Sequence, residues 1–131
     1  MAYEPLMDGK STPNVYGEHV FKIRATFGAS SAVTFRSKDA TIAKTTTTTF
    51  TITLPKPYAE ITDFSVGSFA ATGTDPILFI ITTNSVATNG TLVLTSVSAN
   101  SAGVATAPAS GDVAYITLGV SCDTQNEKFT G

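Results

Sequence analysis

Charge is scarce in this sequence: Asp, Glu, Lys and Arg together make up 14% of its 131 residues, against the roughly 25% usual for soluble domains. There is no tryptophan, a single histidine (His19) and a single cysteine (Cys122). One cysteine excludes an internal disulfide framework, and near the end of a strand it is expected to serve as a small hydrophobic residue. One histidine and one thiol do not make a metal site, which needs several ligands at set spacing. The longest apolar run, Ile77 to Ile81, is far too short to span a bilayer. The N-terminus MAYEPLMDGK lacks the basic and apolar regions of a secretory signal, so the chain is expected to be made in a cytoplasm and to have no membrane partner.

Catalytic patterns are missing too. The surroundings of Cys122, GVSCDT, do not resemble a nucleophile turn. A carboxylate pair for sugar hydrolysis exists only as Glu60 and Asp63, with no tryptophan platform beside it. No GxxxxGK[ST], GxGxxG or clustered DxDxDG motif occurs. We expect no enzyme activity, no catalytic residue, no bound metal and no cofactor.

Net charge is −2 and unevenly placed. Seven of the eight Lys and Arg residues lie at or before Lys56, whereas Glu60, Asp63, Asp75, Asp112, Asp123 and Glu127 follow Pro57. Lys22, Arg24, Arg36 and Lys38 are too few for the dense basic footprint of a nucleic-acid binder. A polarised domain can instead pair head to tail or dock on a charged partner.

What the sequence has in abundance is β pattern. Thr45 to Leu54, TTTTTFTITL, runs from five threonines into an alternation of Phe50, Ile52 and Leu54 with Thr51 and Thr53. That period of two marks a strand with one face buried and one face wet, and threonine suits the wet face by its β-branched shape. A first strand is predicted over Val20 to Phe27, with Phe21, Ile23, Ala25 and Phe27 inward. Gly28 to Ser31 forms a turn, Val33 and Phe35 begin a second strand, and Ser37 to Lys44 has room for a short edge strand. Thr48 to Leu54 is stopped by Pro55 and Pro57.

Beyond Tyr58 the apolar phase slips by one residue, from Ile61 to Phe64 and Val66, which predicts a β-bulge around Asp63. Ile77 to Thr82 does not alternate. It reads as a strand covered on both sides, at the centre of a sandwich or against another subunit. Asn89-Gly90 opens a strand over Thr91 to Val97, and Val113 to Ser121 is the last, with Ala114, Ile116, Leu118 and Val120 inward. Between them Ser98 to Gly111, rich in small residues, is expected to be an exposed, protruding loop. The sum is an all-β domain of about seven or eight strands, an antiparallel sandwich or small barrel of jelly-roll or β-tulip type. It divides into an extended N-terminal arm (1–18), a β-sandwich domain (19–122) and a polar C-terminal tail (123–131).

FTITLPKPYAEITDFSVGS (Phe50 to Ser68), followed by ILFIITT, GTLVLTSVS and GDVAYITLGVS, resembles small virion proteins of tailed bacteriophages. In these a "YTVTLP…Y" strand precedes an "ITDFSV"-like strand and the chain closes on a "GD.V…L.V" strand. The likeness covers about residues 33 to 121, and with the N-terminal arm it is most similar to capsid decoration (cement) proteins. The resemblance implies a subunit of a homo-oligomer, a trimer above all, fixed on the capsid surface and bound to the major capsid protein. It brings no catalytic residues. The candidate interface residues are Tyr3, Leu6, Val15 and Tyr16 of the arm and Ile77, Phe79 and Ile81 of the apolar run. The alternative is a phage tail or spike subunit, or a host-carbohydrate-binding module that uses its long loops.

Overall fold

A computed structural model describes residues 18–71, 76–100 and 103–122. Eight strands occur among them: β1 (Glu18–Phe27), β2 (Val33–Ser37), β3 (Thr41–Lys44), β4 (Thr49–Thr53), β5 (Glu60–Phe69), β6 (Ile77–Ser85), β7 (Thr91–Ser98) and β8 (Val113–Ser121). They form two four-stranded antiparallel sheets, ordered β2-β1-β8-β5 and β3-β4-β7-β6. The fold is a β-sandwich, as the alternation predicts. β1 begins at Glu18, so the sheet takes in the last residue of the predicted arm.

The core is the sum of the inward positions. Phe21, Ile23, Ala25 and Phe27 of β1 lie beside Ala114, Ile116, Leu118 and Val120 of β8, and all are buried. Phe50 and Ile52 of β4 and Leu92 and Leu94 of β7 meet them from the other sheet. Phe27 of the first sheet lies with its ring 5.2 Å from Phe50 and 5.7 Å from Phe79 of the second. Each such side chain contributes roughly 1.5–3 kcal/mol when fully buried, and edge and stacked ring contacts add to that.

The phase slip in the sequence is a bulge: the β5–β8 register shifts between Ile61 and Asp63. A second bulge, between Ile81 and Thr83 of β6, has no such signal because the run before it does not alternate. β6 is not central but an edge strand of the second sheet. Ile77 and Phe79 point into the core, and Leu78 and Ile80 face outward, 53% and 48% exposed. Between β6 and β7 the chain makes a single helical turn, α1 (Val86–Asn89), closed by Gly90 at φ +75°. A Cβ on Gly90 would stand 2.7 Å from the Lys56 carbonyl oxygen, so backbone angle and close approach both demand glycine there. The Asn-Gly pair thus caps this turn instead of forming a two-residue hairpin.

Only the last of the five threonines belongs to β4. The others form the β3–β4 turn, in which the Thr46 hydroxyl accepts from the Thr48 and Thr49 N–H groups. Local hydroxyl-to-backbone bonds of this kind compete with strand pairing.

The segment after β7 is exposed at most of its described residues, as predicted, but its backbone is tied to β7. Ala105 bridges Val97, Thr106 N–H donates to Ser96 O, and Ser98 N–H donates to Val104 O. Pro108 is buried, and the Ser31 hydroxyl reaches its carbonyl at 3.5 Å. At the end of the segment, Asp112 is 4% exposed. Its carboxylate accepts from Ala71 N–H at 2.8 Å and from Ala109 N–H at 2.9 Å. These backbone partners hold the segment alongside the end of β7.

Candidate interaction surfaces

Every sheet of a sandwich has one face in the core and one face outward, and here the two outer faces differ in kind. On the second sheet the outward positions are Thr41 and Ala43 of β3, then Thr49, Thr51 and Thr53 of β4. β7 adds Thr91, Val93 and Thr95, with Val97 on the same side but buried, and β6 adds Leu78 and Ile80. None of them is charged. Cross-strand pairing sets threonine beside threonine, as in Thr49 opposite Thr95 and Thr53 opposite Thr91. The Thr82 and Thr95 hydroxyls bond to each other at 3.0 Å, and those of Thr45 and Thr51 at 2.7 Å. Hydroxyls that satisfy one another cost little to remove from water, whereas charges cost several kcal/mol each unless paired.

The outer face of the first sheet carries the charge. Lys22 and Arg24 of β1 and Arg36 of β2 are exposed, and Arg24 lies directly opposite Arg36. On the other side Arg24 faces Tyr115 of β8, its guanidinium 6.0 Å from the ring centre. Lys22, Arg24, Arg36, Tyr115 and Thr117 line a shallow depression of about 210 Å³. At the far end of the same face lie Glu18, Glu60 and Asp63. The Thr62 hydroxyl donates to the Glu18 carboxylate there.

Of the interface residues expected from sequence, Tyr3, Leu6, Val15 and Tyr16 lie outside the described residues. Ile77 and Phe79 are 4% and 7% exposed and belong to the core, and Ile81 is half-buried against it. Ile77 and Phe79 therefore offer no surface to a partner, and Ile81 offers only part of one. The strand's outward side chains are Leu78 and Ile80, which period-based reading of an unbroken apolar run could not separate from their neighbours.

Cys122 is exposed rather than packed, because it follows the last paired position of β8. His19 sits on β1, exposed, with its ring 5.8 Å from that of Tyr58. Asp63 is exposed at the bulge and Glu60 half-buried beside it. Among the described residues no group of three His, Cys, Asp or Glu side chains is placed to hold a metal ion. Among them, too, no helix is long and apolar enough to cross a membrane.

No family model, curated protein or solved structure matches the chain.

Proposed function

We propose that the chain is a structural protein of a bacteriophage virion, bound to the outside of the capsid, where it cements neighbouring capsomers. It acts by surface burial, without catalysis or a cofactor, and its partner is the major capsid protein. The observation that carries this reading is the uncharged outer face of the second sheet. Interface centres are depleted of Lys, Glu and Asp, and this face already lacks them while exposing Leu78 and Ile80 at its edge. The sequence resemblance to decoration proteins supplies the kind of partner.

Strands lie about 4.8 Å apart with a rise of about 3.3 Å per residue. Four strands averaging about six residues then offer on the order of 400 Å², roughly half of the ~800 Å² that each side of a standard interface buries. The N-terminal arm, with Tyr3, Leu6, Val15 and Tyr16, is the natural source of the remainder. The decisive experiment mixes the purified full-length chain with undecorated capsids and measures co-sedimentation and shell stability. Saturable binding that raises the temperature of shell disruption is expected, and shells that neither bind the chain nor gain stability would refute the reading.

A further inference from the structure

We propose that the outer face of the first sheet binds a second copy of this chain, face to face about a two-fold axis. Two clusters of opposite sign share that face. Lys22, Arg24 and Arg36 form the basic one, and Glu18, Glu60 and Asp63 the acidic one. Glu18 precedes Lys22 by four residues and Arg24 by six on the same strand, which at about 3.3 Å per residue separates the clusters by roughly 13–20 Å. That exceeds the Debye length of about 8 Å at physiological salt, so within one copy the clusters leave each other largely unneutralised.

The basic cluster is also internally unfavourable. Arg24 faces Arg36 directly across the β1–β2 pair, and like charges so placed destabilise a sheet. Among the described residues Arg24 lies over the Tyr115 ring and not against a carboxylate. The acidic cluster is held in place, because the Thr62 hydroxyl fixes the Glu18 carboxylate over Gly119. Between the clusters stands Val20, 52% exposed, and Tyr115, level with Arg24, adds a ring that is 49% exposed.

A nucleic acid or another polyanion would engage the basic cluster and be repelled by the acidic one beside it. A second copy uses both. A two-fold axis lying in the plane of the face and across the strands sets the basic end of each copy over the acidic end of the other. The two contacts are then identical, which is the isologous geometry of most dimers. Glu18 of one copy, its carboxylate held over β8, then comes over the depression lined by Lys22, Arg24, Arg36, Tyr115 and Thr117 of the other, with Asp63 and Glu60 flanking it from β5. Four strands of about nine residues give on the order of 550 Å² of flat area per copy before side-chain relief. That lies near the lower bound for a specific interface. The trimer implied by the sequence resemblance would require a different, head-to-tail contact.

The test weighs the full-length chain in solution without any shell, by light scattering and analytical ultracentrifugation. A dimer is expected at about 50 mM salt, with its dissociation constant raised at least tenfold at about 500 mM. R24E/R36E leaves Lys22 as the one cation of the two clusters and E60K/D63K leaves Glu18 as their one anion; each alone is expected to be monomeric. An equimolar mixture of the two is expected to recover a dimer containing one of each. Circular dichroism and the urea midpoint check that both variants fold, and Tyr115→Ser, which alters no charge, is expected to weaken the wild-type dimer at both salt concentrations. A wild-type monomer at every concentration, a trimer, or a mixture that stays monomeric overturns the proposal. Shells play no part here, so this result and the decoration reading stand or fall separately.

Discussion

Glu18 and Thr62 meet across a strand that neither belongs to. β8 separates β1 from β5, yet the Thr62 hydroxyl donates to the Glu18 carboxylate at 2.5 Å, directly over Gly119. A Cβ at position 119 would lie 2.6 Å from the Glu18 oxygen and 2.8 Å from the Thr62 hydroxyl. Glycine at the centre of the sheet therefore gives up strand propensity to let its two neighbours join. Gly119→Ala is expected to cost about 1 kcal/mol, the net worth of one hydrogen bond of this kind, because the side-chain ends can swing away. In a Glu18→Ala background the same substitution should be neutral or stabilising, since alanine orders the strand better than glycine. Urea titration of the four-membered cycle measures the difference. Equal destabilisation in both backgrounds would show that the crowding is with the backbone and not with these side chains.

Asp112 is a second anchor, and it is buried. Its two carboxylate oxygens hold the Ala71 and Ala109 N–H groups, which ties the end of β5 and the segment before β8 to one point. Removing an acceptor from a buried donor costs roughly 1–3 kcal/mol. Asp112→Ala is therefore expected to lower stability by about 2–4 kcal/mol, with the denaturant slope unchanged if two-state unfolding persists. Asp112→Asn keeps one acceptor and should lose about half as much. A loss below about 0.5 kcal/mol for the alanine variant would mean that water replaces the carboxylate without penalty.

Ser37 has the opposite problem. Its hydroxyl oxygen is shut off from solvent and has no hydrogen-bond partner among the described residues. An unsatisfied buried hydroxyl is a net cost, so Ser37→Ala should leave stability unchanged or raise it by up to about 1 kcal/mol. A clear decrease in the thermal midpoint would reveal a partner that the hydroxyl serves.

How far the sequence leads depends on whether a feature has a period. The inward positions of β1, β4, β7 and β8 alternate cleanly, and even the bulge at Asp63 shows as a slip from Ile61 to Phe64. Ile77 to Ile81 has no alternation, so nothing in it distinguishes Phe79, which is buried, from Ile80, which is not. Register with β7 decides that. The segment after Ser98 reads as a loop by composition, and its attachment runs through backbone groups such as Thr106 N–H to Ser96 O, which carry no side-chain signature. The clustering of Arg24 with Arg36, twelve residues apart, exists only once the β1–β2 register is known. Charge asymmetry along the chain was legible; charge asymmetry between the two sheets was not.

The uncharged face can be tested by adding charge to it. Ile80 and Thr51 face outward from β6 and β4, so Ile80→Lys and Thr51→Glu place a charge where the fold tolerates one. Surface substitutions of this kind usually change stability by less than about 0.5 kcal/mol. Burying the new charge in an interface would cost several kcal/mol, so binding to capsids is expected to fall by more than tenfold for each variant. Ala87→Glu, exposed on the α1 turn, is the control and should bind shells as the wild type does. Equal binding by all three would move the capsid contact off the second sheet.

Deleting residues 1 to 17 separates folding from attachment. β1 starts at Glu18 and its first core residue is Phe21, so no described part of the core is removed. The truncated chain is expected to retain the strand signature in circular dichroism and an unfolding free energy within about 0.5 kcal/mol of the full-length value, the range of changes away from packed features. Capsid binding is expected to disappear, because the outer face of the second sheet supplies roughly half of the area that a stable site needs. The two measurements have to be made on the same preparation, since a chain that has lost its fold would also fail to bind. Full decoration of shells by the folded, truncated chain would show that the sheet face suffices and that Tyr3, Leu6, Val15 and Tyr16 serve some other contact.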